Sequence, residues 1–254
     1  PPRPAILPRR RPRREAARTH DLVFRAAERK ARLLDPDGPE TSVWSYTDEL
    51  FPVLRARQGD RMAVALRNEL PQHTSVHWHG LRLPNAMDGV QYMTQPPVEP
   101  GQTFRYDFTL ADTGTFFFHP HCNESGQVGH GLAGVLIVEG DQVRAPDDDV
   151  VLAVKDWRLN PDGSWMDFVT PQGAARAGTF GAVRQVNGKP GFTRTARPGS
   201  DIRVRLLNLD STRVLEVGVE GGEAALIAVG GHPPPPVAPD ASGVGTWRMR
   251  PAMR

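Results

Sequence analysis

From residue 21 the chain alternates apolar and polar side chains with the period of a β-strand. Leu22, Phe24 and Ala26 fall on one face, against Asp21, Val23 and Arg25 on the other. Successive side chains of a strand point to opposite faces, so this pattern predicts a strand with one buried side. Val43-Trp44-Ser45-Tyr46 reads as a second, short strand. Residues 52–57 read as a third and lead into the turn Gln58-Gly59-Asp60. Met62, Val64 and Leu66 then alternate with Arg61, Ala63, Ala65 and Arg67 until Asn68-Glu69-Leu70-Pro71 break the pattern. Residues 82–101 carry Pro84, Pro96, Pro97 and Pro100 and read as a long loop of the kind that often carries function. Phe104, Tyr106 and Phe108 resume the alternation, and Asp112-Thr113-Gly114 turns the chain again. Residues 131–138 are apolar enough to be buried on both faces. With two short histidine strands in between, about eight strands fall between residues 21 and 140, which predicts an all-β Greek-key sandwich.

Residues 141–148 read as a linker. A second set of strands is expected at 150–154, 182–186, 202–207, 214–219 and 225–229, with a turn at Asn187-Gly188. Only five or six strands are legible in residues 149–254, so this part reads as an incomplete second domain. Such a domain would leave open sheet edges.

Composition agrees with a turn-rich β protein: 25 Gly and 25 Pro in 254 residues. The net charge of +2 is unevenly spread. Residues 1–14 hold six Arg and no acid, so the remaining chain carries −4. Residues 1–20 are therefore expected to be a disordered basic tail, and nucleic-acid binding is not expected of the fold. One Cys excludes an internal disulfide. No stretch approaches 18 apolar residues, so no membrane span is expected. No signal-peptide core follows the arginines, and the sequence begins at Pro1, so a leader is not visible here.

The chemistry lies in two short pairs, His77-Trp78-His79 and His119-Pro120-His121. Random placement of eight His in this chain would give roughly 0.25 such pairs. In a strand, residues i and i+2 share a face, so each pair aims two imidazoles in one direction. Two such strands side by side would bring four imidazoles to one spot, a donor set suited to Cu, Zn, Ni or Fe. A cupin-like site would need a Glu shortly after the first pair, where Gly80-Leu81-Arg82-Leu83-Pro84 stands. A catalytic zinc site needs only three ligands, so four clustered His suggest more than one ion.

Two long motifs carry a resemblance. Thr74-Ser75-Val76-His77-Trp78-His79-Gly80-Leu81, followed by Pro84-Asn85-Ala86-Met87-Asp88-Gly89, resembles the first copper motif of the multicopper oxidases. Gly114-Thr115-Phe116-Phe117-Phe118-His119-Pro120-His121, followed by residues 131–139, resembles the second. The likeness extends more weakly from about Asp21 to the end of the chain. It implies cupredoxin-like domains, copper as cofactor, and O₂ plus a small reducing substrate (phenolic, amine or metal ion) as partners. It implies a periplasmic or secreted, laccase-like oxidoreductase. By the same resemblance, His77 is expected to bind the type 2 copper. His79 and His119 are expected to share one type 3 copper, and His121 to bind the other. Asp88 is expected beside the type 2 copper, orienting water and relaying protons. The alternative for Asp88 is a plain Asp-Gly turn.

The family needs further His-x-His and His-Cys-His motifs, yet after Cys122 only His130 and His232 remain. The type 1 copper and the other half of the cluster are therefore expected from residues outside this sequence, or from another copy in a homo-oligomer. Read this way, the sequence is truncated relative to its family, and the chain alone is expected to bind copper without turning over O₂. Two rivals stand beside this reading. One is a non-catalytic copper-binding or copper-resistance protein that keeps the four His. The other is a nitrite-reductase-like two-domain enzyme with a blue copper on Cys122, His130 and His73. No Met stands at a plausible axial place after His130, so Cys122 is expected to be a small half-buried thiol.

Overall fold

The structure is a computed structural model that describes residues 16–140, 145–176, 178–220, 224–231 and 246–250. The arginine-rich residues 1–14, the first half of the expected linker and His232 lie outside the described residues. Eight strands build the first unit: β1 (Thr19–Ala31), β2 (Thr41–Ser45), β3 (Val53–Arg57), β4 (Arg61–Asn68), β5 (His77–His79), β6 (Thr103–Thr109), β7 (Gly114–His119) and β8 (Gly134–Glu139). They form two four-stranded sheets, ordered β2-β1-β4-β6 and β3-β8-β7-β5. The expected all-β sandwich is present. β1 begins at Thr19, inside the stretch assigned from sequence to a disordered tail. Pairing with Arg61 and Met62 of β4 extends the strand back to Thr19 and His20.

β1 serves two neighbours. Residues 19–26 run parallel to β4, and residues 27–31 run antiparallel to β2. At the changeover Ala26 and Ala27 are both buried, because the strand leaves one partner for the other there. The inner faces of the two sheets meet in an aromatic core. Phe24, Tyr46, Trp78, Tyr106, Phe108 and Phe118 are all buried, and Trp78 lies with its ring centre 5.0 Å from Phe108 and 5.4 Å from Phe118. Each such ring pair adds about 0.5–1.5 kcal/mol beyond area burial. On β5 the residues alternate strictly, so burying Trp78 in this core turns His77 and His79 to the opposite face.

That opposite face of the β3-β8-β7-β5 sheet is not simply a surface. Phe117, Val135 and Ile137 join Phe51 in a second core with Ala153, Trp157, Leu159, Leu207 and Leu209. The latter residues belong to or flank β9 (Asp148–Trp157) and β11 (Ile202–Asn208), which run parallel in a sheet completed by β10 (Val183–Val186). Polar contacts reinforce the packing. Trp165 Nε1 donates to Ser42 O at 2.8 Å, Thr41 Oγ1 to Gly163 O at 2.9 Å, and Arg205 Nη1 to Thr115 Oγ1 at 2.7 Å.

One local expectation for this part changes. Residues 225–228 form no strand among the described residues, Val229 carries a single bridge, and Ile227 is exposed. Instead β12 (Leu215–Gly218) pairs with β13 (Thr246–Met249). No helix of the described residues is long and apolar enough to cross a membrane.

Candidate metal centre

β5 is the edge strand of its sheet and pairs antiparallel with β7. The register sets His77 opposite His119 and His79 opposite Phe117. Four imidazoles converge as a result. The ring centre of His77 lies 5.7 Å from His79, 5.5 Å from His119 and 4.6 Å from His121. The donor nitrogens of His77, His119 and His121 all lie within 4.8 Å of one another, the one such group of three or more donors found among the described residues. His79 completes the set from the other side, its Nδ1 3.4 Å from His119 Nε2. Two nitrogens each about 2 Å from one ion stand about 3.3 Å apart at a tetrahedral angle.

The second pair reaches its place differently from the strand geometry expected. β7 ends at His119, and His121 sits in a bend beyond Pro120, which has no N–H to continue a ladder. Its main-chain N–H donates to Ser75 Oγ at 3.3 Å, and Gln91 Nε2 donates to its carbonyl at 2.8 Å.

A ligating imidazole needs its other nitrogen fixed. His77 Nδ1–H donates to the main-chain carbonyl of Asp88 at 2.7 Å, which leaves Nε2 for the cluster. The Asp88 carboxylate is 3.5 Å from the same nitrogen. Gly89 makes this possible. It holds φ +82°, and a Cβ there would stand 1.8 Å from Val76 O, so the turn lies directly against the backbone entering β5. Around His119, Nδ1 faces Pro120 O at 3.1 Å and the Glu124 carboxylate at 3.5 Å. Burial, and then the charges His77, His79 and His121 would carry, push the His119 pKa down to about 3. Burial lowers His77 as well, against the opposing pull of Asp88. Both rings are thereby held neutral at pH 7, the form that ligates metal.

The chemistry of this donor set fits copper: converging imidazoles with no carboxylate in the group of three. Comparison with known proteins agrees. The family model for multicopper oxidases matches residues 29–143. Multicopper oxidase MmcO of Mycobacterium tuberculosis is 28% identical over 91% of this chain and 52% of its own length. The iron transport multicopper oxidase FET3 of Candida albicans is 31% identical over 85% of this chain and 35% of its own. A solved multi-copper oxidase from Pseudomonas thermotolerans superposes with a TM-score of 0.86 at 38% identity, covering 94% of this chain and 57% of that one. The chain belongs to the multicopper oxidase family. It spans about a third to a half of the curated relatives named here.

Within this multicopper oxidase chain, Cys122 stands apart from the histidine group. It is fully buried, its Sγ lies 3.9 Å from Ser75 Oγ, and burial raises its thiol to about 11. His130 is engaged elsewhere: Nδ1–H donates to Gly126 O at 2.7 Å, and the ring stacks on Trp44 at 4.4 Å. No group joins Cys122, His130 and His73 among the described residues. Sequence reasoning did not find the bracket that supports the site, helix α1 (Glu124–Gly129). Its Gln127 is fully buried, accepts from Thr74 Oγ1 at 2.7 Å and donates to His73 O at 2.9 Å, tying the helix to the approach of β5. Two glycines in six residues give no helical signal, so the sequence conceals it.

Proposed function

We propose that this chain supplies half of the trinuclear copper shell of a laccase-like oxidoreductase. The whole protein would couple one-electron oxidation of a phenolic, amine or metal-ion substrate to reduction of O₂ to water, in the periplasm or outside the cell. In this reading His77 holds the type 2 copper, His79 and His119 share one type 3 copper, and His121 holds the other. The observation that carries it is the approach of His79 Nδ1 to 3.4 Å from His119 Nε2, with the donor nitrogens of His77, His119 and His121 within 4.8 Å of one another. Bound copper would supply one-electron redox chemistry. The chain's own part is to present neutral imidazoles in fixed tautomers. Asp88 does so through its carbonyl, while its half-exposed carboxylate is placed to hold a proton or a water beside His77.

The family's four-electron chemistry needs both halves of the shell and a blue copper. The chain alone should therefore bind copper without sustained O₂ consumption. Elemental analysis and an oxygen electrode, with phenols or Cu⁺ as reductant, test this together. Absence of bound copper would overturn the metal reading. Steady turnover that His119→Ala abolishes would show that copies of the chain complete the shell between them, against the half-shell reading.

A further inference from the structure

The mechanism proposed above leaves one group beside the cluster unused. Glu124 opens α1, half exposed, with Oε1 3.5 Å from Nδ1 of the buried His119. The two residues share the lining of a cavity of about 60 Å³ with Asn208 at the end of β11 and Asp210 and Ser211 just beyond it. A cavity of that size has room for a few waters. Two oxygens of these lining residues are buried without a hydrogen-bond partner, Asp210 Oδ2 and Ser211 Oγ. Asp210 is itself 2% exposed, with Oδ2 3.6 Å from Lys155 Nζ. Buried polar atoms left unpaired beside a polar cavity are the usual partners of ordered water.

We propose that Glu124 is a positioning residue for His119, and that Asp210 and Ser211, through water in this cavity, hold Glu124 in place. This rests on the reading of His119 as a copper ligand. Pro120 O competes for the same nitrogen at 3.1 Å. It is a neutral acceptor, whereas a carboxylate gains when the imidazole N–H is polarised from its other nitrogen. Hydrogen bonds to an ionised partner are roughly twice as strong as neutral ones. The second set of strands then acts on the metal centre without contributing a ligand. The helix is too firmly held by Gln127 and His130 to carry Glu124 away, so the side chain alone needs support.

The test begins with the metal-free full chain. Long-range proton–nitrogen NMR of the imidazoles reports the His119 tautomer and the solvent exchange of its Nδ1 proton. Wild type should hold the Nδ1–H tautomer with slow exchange. Glu124→Ala should speed that exchange at least tenfold, Glu124→Gln should restore most of the protection, and Ser211→Val should give a smaller effect in the direction of Glu124→Ala. Identical exchange in wild type and Glu124→Ala would show that Pro120 O alone fixes the ring, and the proposal would fall. Should Glu124→Ala not fold, Glu124→Leu and Ser211→Val are compared with wild type, and exchange unchanged in both overturns the proposal. Copper(I) competition is the second arm: Glu124→Ala should weaken binding roughly 10–100-fold and Glu124→Gln much less. A wild-type chain that takes no copper would sink the proposed function, while the tautomer measurement would still rule on Glu124.

Discussion

His77 and His119 are direct register partners across β5 and β7, with ring centres 5.5 Å apart and planes at 81°. A two-strand pairing therefore brings one imidazole from each motif to the same place. Replacing both His77 and His79 with Ala should lower copper stoichiometry while leaving the fold intact, since neither ring belongs to the core around Trp78. Elemental analysis beside a thermal melt checks this. Unchanged copper content would remove the pair from the site.

Gly89→Ala should be among the most damaging single changes in the first unit. The residue would be strained at φ +82°, and its Cβ would overlap Val76 O. Left-handed strain alone costs about 1–3 kcal/mol, and the overlap adds to it. The Asp88 carbonyl would move off His77 as the turn lifts. A lower melting temperature and weaker copper binding should appear together, and a variant as stable as wild type would contradict the close approach.

Cys122 should be chemically quiet. Its thiol is buried and raised to about 11, so the reactive thiolate is scarce at pH 8. Alkylation by iodoacetamide should be slow in the folded chain and fast in denaturant. Loading with Cu²⁺ should give no intense visible thiolate band. A band that Cys122→Ser removes would instead support the two-domain reading.

Stability should fall at acid pH partly through Asp60. Burial pushes this carboxyl up, but hydrogen bonds from the Arg18 N–H, His20 and the Arg57 N–H outweigh it and hold the pKa below the usual value. A depressed carboxylate stabilises the fold above its unfolded pKa of about 3.9 and loses that contribution as pH drops through the folded value. Asp60→Asn should therefore be less stable than wild type at pH 7, by about 1–2 kcal/mol, with the gap closing below pH 4. A gap that stays constant with pH would show the loss is steric.

The first histidine pair is legible in the sequence because a period of two ties His77 and His79 to a buried neighbour, Trp78. The core of the first sandwich is legible for the same reason. His121 is a partial success: its identity as a site residue is readable, but not that a proline bend and a Ser75 hydroxyl place it. Glu124, Asp210 and Ser211 are invisible in the sequence. Glu124 reaches His119 through α1, whose start gives no helical signal, and Asp210 and Ser211 reach the same cavity only because separate sheets pack together; alternation reports which face is buried without saying against what. Residues 225–229 show the converse, an apolar run that forms no strand among the described residues.

The core shared by Phe117, Val135 and Ile137 with Trp157 and Leu207 bears on how far such chains are modular. A copper-binding sandwich looks like a unit that could be grafted onto any partner at the stretch near residue 145. The histidine-bearing sheet, however, uses both faces as interior. A chimera joined there would have to carry a matching apolar partner for Phe51, which stacks on Trp157 at 5.8 Å, or expose the back of the strand that ends in His119. Recombination in this lineage is thus constrained by a seam that lies in space between the sheets, away from the point in the sequence where one set of strands gives way to the next.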